Sequence, residues 1–299
     1  MHLSPVRVAV AGLLLFAAAG CSEGPGQSTG KSTGRADTGH SDVVSAKDFS
    51  LSRFSDSTDV TNKWFPLKPG TQFVFKGHAE DDGERLPRRV VTTVTDLTKF
   101  VADVRTVVVW DRDYDDGELI ESEIAFFAQD SSGNVWQLGE YPEEYEDGKL
   151  EKAPAWLEGV NGAKAGLAMK AEPRLGTPSY AQGFSPPPIY WGDRARVYKM
   201  DQETCVPVDC YSDVLVIEEF ERKIPGAFQL KFYAPDVGVV RVGWRGPKEE
   251  EKETLVLSQL KHLSETEMAE VRREALALDK RAYEIRKDVY GATEPIEQD

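Results

Sequence analysis

The side chains able to do chemistry are unevenly spread along this chain of 299 residues. Of its four histidines, His2 and His40 lie near the start, which leaves His78 and His262 among the core-forming segments. His78 falls at an expected hairpin turn and His262 just before an expected helix. Neither context recommends a Ser–His–Asp triad, and a His-rich zinc or iron centre is equally short of ligands. Carboxylates are abundant, with Asp and Glu totalling 51. Two of them roughly 5 to 9.5 Å apart would suffice for glycoside hydrolysis, but the sequence singles out no pair, and most such residues form a solvated face. In DRDYDDGELIES (111 to 122), Asp111, Asp113 and Asp115 occupy alternate positions, as in a calcium loop. Position six is Asp116 rather than Gly, position twelve is Ser122 rather than Glu, and no helices flank the stretch; a hairpin turn accounts for the same residues. The sequence thus assigns no catalytic residue, no cofactor and no metal ligand.

Three cysteines remain. Cys21 closes an apolar run, Val8 to Ala19, that is broken only by Gly12 and preceded by Arg7. As a helix the run measures about 18 Å, short of the ~30 Å of a bilayer core. Its layout is that of a secretory signal peptide. Ala18, Ala19, Gly20 and Cys21 together resemble the bacterial lipobox, with alanine where that family usually has leucine. The resemblance implies a diacylglycerol on the Cys21 thiol, cleavage before it, and anchoring at the extracytoplasmic face of the cell membrane. An ordinary signal peptide with Cys21 present by chance is the alternative. The tether that follows favours lipidation, because SEGPGQSTGKSTGRADTGHSD holds almost nothing able to form a core. About 27 such residues span roughly 30 Å, enough to clear the headgroups. GQSTG and GKSTG both fit the nucleophile elbow, but no strand and helix surround them. GKS also resembles the end of a phosphate loop, whose earlier glycine is replaced by Pro25. All three are read as linker.

Cys205 and Cys210, in TCVPVDCY, are the even pair left over, and exported proteins live where disulfides persist. They are expected to be bonded. A zinc site lacks a second ligand pair, and redox-active disulfides usually have two residues between the cysteines rather than four. The net charge of −15 disfavours nucleic acid and anionic headgroups; it also suffices simply to keep an exported domain soluble.

These groups must be carried by a mainly β domain. Segments rich in β-branched and aromatic residues occur at 71–77, 88–96, 104–112, 118–130, 134–140, 194–200, 213–220, 228–234, 238–244 and 254–263. DDG at 81–83 and 115–117, EDG at 146–148 and SSGN at 131–134 supply turn residues between them. Helical crossovers are absent, so the expectation is an antiparallel meander forming a curved sheet, sandwich or barrel-like domain. The Gly- and Pro-rich stretch 154–188 reads as long loops with two short strands. One helix is evident: Ser264 and Glu267 form a capping box. Met268, Val271, Ala275, Leu278, Ala282 and Ile285 then recur as one narrow apolar stripe. Packing on the protein's own sheet is favoured over a coiled coil. Six tryptophans invite a carbohydrate-platform reading. Trp110, Trp136 and Trp244 fall in strand patterns and suit a core; Trp64, Trp156 and Trp191 lie near glycines and prolines and are better candidates for a pocket rim. Core or rim packing is favoured over a platform. The expected organisation is signal peptide 1–20, lipidated cysteine and tether 21–48, β domain 49–263, and helix with acidic tail 264–299 packed on it.

NKWFPLKPGTQFVFKG (62–77), FFAQDSSGNVWQLGE (126–140), WLEGVNGAKAGLAM (156–169) and FYAPDVGVVR (232–241) resemble an uncharacterised family of bacterial secreted proteins and lipoproteins. The resemblance spans roughly residues 60 to 245. It implies one domain and transfers no catalytic residue. The first expectation for function is a non-enzymatic, lipid-anchored envelope protein binding a small hydrophobic ligand, a lipid or an envelope partner. A glycan hydrolase using a carboxylate pair and a structural scaffold are the alternatives.

Overall fold

The computed structural model describes residues 48–81 and 83–298. The expected signal peptide, Cys21 and nearly all of the expected tether lie outside the described residues. A short 3-10 turn, Leu51–Arg53, leads to β1 (Thr71–Asp81), β2 (Glu84–Val101), β3 (Val104–Asp115), β4 (Glu118–Gln129) and β5 (Val135–Glu146). The shorter β6 (Lys149–Lys152), β7 (Trp156–Leu157), β8 (Lys164–Met169), β9 (Tyr180–Ala181) and β10 (Gly183–Phe184) follow. Then come β11 (Arg194–Cys205), β12 (Cys210–Phe220), β13 (Phe228–Ala234), β14 (Gly238–Arg245) and β15 (Thr254–His262). The chain ends in α1 (Glu265–Ile285), α2 (Lys287–Tyr290) and β16 (Glu297–Gln298).

The meander is antiparallel throughout, in the order β10-β8-β5-β4-β3-β2-β1-β15-β14-β13-β12-β11-β9. Its turns use the expected residues: in the β3–β4 hairpin Asp116 and Gly117 both have positive φ, a region glycine enters without steric cost. β15 returns to pair with β1, so both ends of the chain's long-strand series meet in mid-sheet. The two edges are brought together by five residues. Tyr180 and Ala181 pair with β11, while Gly183 and Phe184 pair with β8. One extended segment therefore bridges both edges, and the sheet is nearly closed and barrel-like. Closure leaves few unpaired backbone groups for another chain to use. It also explains why 154–188, expected to hold two short strands, contributes four: β7 to β10 are two to six residues long and are recruited by pairing rather than by their own pattern.

Burial separates the barrel into two halves. β13 alternates between buried and half-buried positions, as a strand with one solvated face should. β4 and β5 are buried along most of their length; α1 packs against β2 and β4, and Tyr290 of α2 packs against Tyr141 of β5. Ser264 caps α1 through the Glu267 backbone N–H, and Glu267 accepts from the Ser264 backbone in return. The stripe then buries Met268, Val271, Ala275, Leu278 and Ala282, but Ile285 is 41% exposed. Asp279 is buried instead, 3.1 Å from Lys99 Nζ. Arg281 holds buried Glu143 at 2.8 Å, and Arg272 donates to Asp96. Cys205 and Cys210 are joined, S–S 2.03 Å, where the β11–β12 hairpin turns.

Candidate functional site

A pocket opens between the 62–67 loop and the β13–β14 turn and runs into the barrel. The space between its walls, open solvent at the mouth included, is about 550 Å³. The loop is held by Asn62, itself buried. Its Oδ1 accepts from the backbone N–H groups of Trp64 (2.9 Å) and Phe65 (3.1 Å), while its Nδ2 donates to the Gly133 and Lys170 carbonyls. The Asp236 N–H donates to the Lys63 carbonyl at 2.7 Å and joins the opposite lip to the loop. Phe65, Pro66, Leu67, Val237, Gly238 and Val239 form the mouth, with Phe73, Phe75, Val94 and Tyr233 below. Thr92, Asp111 and Lys231 complete the lining. The walls are thus apolar and the floor is polar.

Strand alternation brings the floor residues inside. On β13, Gln229, Lys231 and Tyr233 are buried, whereas Phe228, Leu230 and Phe232 on the outer face are half-buried. On β3 the same parity buries Val109, Asp111 and Asp113. Asp111 is 2% exposed. Its Oδ1 accepts from Thr92 Oγ1 at 2.9 Å and from the Arg112 N–H at 3.2 Å, and its Oδ2 accepts no hydrogen bond from the described residues. Burial raises its carboxyl to about 6, against the opposing hydrogen bonds of Thr92 and Arg112 and the charges of Arg112 and Lys231. Lys231 Nζ lies 2.5 Å from Glu219 Oε2. Gln182, from the closing segment, donates to the other oxygen of Glu219 at 2.7 Å.

Behind the floor the interior stays polar and acidic. Arg88 grips Asp115 with two hydrogen bonds, 2.8 and 2.9 Å, and reaches Glu253 at 3.2 Å. Gln229 donates to Glu253 at 3.0 Å. Asp113 and Glu121 are buried and their carboxyls are pushed well up, first by burial and then by neighbouring carboxylates, Asp111 for the former and Glu123 for the latter. Asp193 is raised in the same way by burial and the charges of Glu221 and Glu219.

The chemistry-bearing residues of the sequence are dispersed by this arrangement. The three acids of the calcium-like pattern part company: Asp111 lines the pocket, Asp113 stands behind it, and Asp115 binds Arg88. They belong to a strand and its hairpin turn rather than to a loop. Among the described residues no group of three or more His, Cys, Asp or Glu is arranged to hold a metal ion. His78 lies 2.8 Å from Arg85 on the β1–β2 hairpin, and the His262 ring packs against Gly70. Neither lines the pocket, nor do Cys205 and Cys210; Cys21 lies outside the described residues. Asp111 is the one carboxylate in the lining, so this pocket does not present the facing pair a glycan hydrolase needs.

The tryptophans also redistribute. Trp110 and Trp136 are buried as expected, but Trp244 is 39% exposed at the end of β14. Trp156 and Trp191 are not rim residues: they are buried and stacked on each other, centroids 4.9 Å apart. Trp64 is buried too and its side chain does not line the pocket, although its carbonyl lies beside Gly238 at the mouth. The residues that sequence reasoning passed over are Thr92, Lys231 and Tyr233. The available signal was the alternation Gln229, Lys231, Tyr233, in which the polar positions rather than Phe228 and Phe232 face inward.

No protein-family model matches the chain, and no curated protein matches it by sequence. Two solved structures are similar to it at low identity. One, from Bacteroides fragilis, is described as an exported protein with a YmcC-like fold; it is 14% identical over 67% of this chain and 99% of that one, with a TM-score of 0.36. The other, from Parabacteroides distasonis, is described as a lipoprotein; it is 12% identical over the same shares, with a TM-score of 0.38. Among the described residues no helix is long and apolar enough to cross a membrane.

Proposed function

We propose that this chain is an extracytoplasmic protein, anchored through a lipid on Cys21, whose barrel binds a small amphiphile. The ligand's apolar body lies against Phe73, Phe75, Tyr233 and Val239, and its polar head meets Thr92, Asp111 and Lys231. The observation that carries this reading is the pocket itself: apolar walls ending on a buried carboxylate with an oxygen left unsatisfied. Buried polar atoms without a partner are rare in folded proteins and point to a missing ligand or water. The signal-peptide layout of residues 8 to 20 and the lipobox resemblance at Cys21 support the location, and an apolar pocket in a protein so anchored suits a molecule drawn from the membrane. A scaffold role through α1 is less well supported, because its apolar stripe is spent on the protein's own sheet.

Native mass spectrometry of protein released from its own membrane provides the test. The wild type should retain a bound molecule, and Val239→Trp, which fills the mouth, should be empty. Equal retention by both proteins, or none by the wild type, would contradict the reading.

A further inference from the structure

The polar floor has a sign, and the sign selects the head group. Asp111 Oδ1 already accepts two hydrogen bonds, from Thr92 and the Arg112 N–H, and Oδ2 accepts none. Lys231 offsets this only in part, because its ammonium also sits 2.5 Å from Glu219. Another buried carboxylate, Asp113, feels the Asp111 charge directly. The cation beyond it, Arg88, is occupied by Asp115 and Glu253. Asp111 Oδ2 therefore stands without a donor at the floor, the Lys231 ammonium is engaged by Glu219, and carboxylates outnumber cations in a region shielded from water.

We infer that the pocket takes a cationic amphiphile, a primary or secondary ammonium on an apolar chain, with Asp111 as its counter-ion. The inference rests on the pocket being a ligand site as read above. An ammonium donates to Oδ2 and matches the charge in one contact, and charge-assisted hydrogen bonds are about twice as strong as neutral ones. A hydroxyl head donates but leaves the charge unmatched. A carboxylate head brings like charge into a region of low dielectric, where repulsion is strongest. The net charge of −15 further favours the approach of cations.

The experiment is calorimetry on the full mature chain carrying Cys21→Ser, so that no acyl group competes for the pocket. Three probes share one apolar chain: octylamine, octan-1-ol and octanoate. At neutral pH octylamine should bind at least about tenfold more tightly than the other two, the worth of one hydrogen bond to a charged group. Asp111→Asn should bring octylamine down to the level of octanol and leave octanol within about twofold, because only the charged contact is lost. Octanol or octanoate matching octylamine on the wild type overturns the head-group assignment and leaves the pocket reading intact; that comparison needs no variant. Failure of all three probes overturns the pocket reading and this inference together.

Discussion

Replacing Asp111 by asparagine should stabilise the unliganded protein at mildly alkaline pH and cost about 1 kcal/mol in acid, where only the amide remains to be accommodated. Burial raises the Asp111 carboxyl from 3.8 to about 6. The folded state thus holds this proton more tightly than the unfolded chain does. Below about pH 4 both states are protonated and Asp111 costs nothing. Between 3.8 and 6 the cost of ionising in the interior grows, and above 6 it is fully present. At about 1.4 kcal/mol per pH unit it amounts to about 3 kcal/mol. Asparagine keeps the acceptor for Thr92 and the Arg112 N–H and removes the charge that Lys231 from β13 and Arg112 only partly offset. It also relieves Asp113, whose carboxyl is raised in part by Asp111. Accommodating an amide NH₂ at the Oδ2 position returns about 1 kcal/mol. A net gain of about 2 kcal/mol corresponds to a rise in Tm of about 4 to 8 °C for a domain of this size. Differential scanning calorimetry of both proteins near pH 4 and pH 8 reads it directly. The wild type should itself be most stable near pH 5. Above that, Asp111, Glu140 (raised by burial to about 7) and Glu251 (raised by burial to about 8) must ionise inside. Below it, Glu143 gives up its hydrogen bonds to Arg281 and the two tyrosines, and Glu267 its capping-box contacts. An Asp111→Asn shift of the same size at both pH values, or a lower Tm at pH 8, would refute this reasoning.

Lys99 is fully buried and donates to Asp279, the Tyr283 hydroxyl and the Glu294 carbonyl. Lys99→Met should cost about 3 to 5 kcal/mol by stranding Asp279, and adding Asp279→Leu should recover most of it; chemical denaturation of both variants decides. Gly77→Ala places a Cβ 1.8 Å from the Thr254 carbonyl oxygen, so β1 and β15 cannot keep their spacing. The variant should lose several kcal/mol in the same assay, roughly the scale of a severe steric change, and a neutral effect would contradict the β1–β15 pairing. The purified mature protein should titrate no free thiol until reductant is added, since Cys205 and Cys210 are joined and Cys21 is acylated on the present reading. Two titratable thiols before reduction would contradict it.

Much of the fold was legible because it is local. Each of the ten long strands carries its own run of β-branched and aromatic residues, and the hairpins between several of them carry their own Asp-Gly turns. α1 announced itself through Ser264 and Glu267. What was not legible depends on the partner rather than on the segment. Ile285 fits the apolar stripe of α1 but lies beyond the sheet that covers it, and Asp279 is buried only because Lys99 reaches it from β2. Tyr180 to Phe184 has no strand pattern and closes the barrel nonetheless, because two open edges need pairing. The site was hidden for a related reason. Alternation shows that β13 has two faces but not which is inside, and Phe228, Leu230 and Phe232 suggest the wrong one. Only closure shows that Gln229 and Lys231 point inward to meet Glu253 and Glu219.

A crystal structure of the protein grown with octylamine would test the central claim most directly. The account predicts the amine nitrogen within hydrogen-bond distance of Asp111 Oδ2 and the alkyl chain between Phe73, Phe75, Tyr233 and Val239. An alkyl chain bound on the outer surface, or a pocket holding only water at saturating amine, would contradict it.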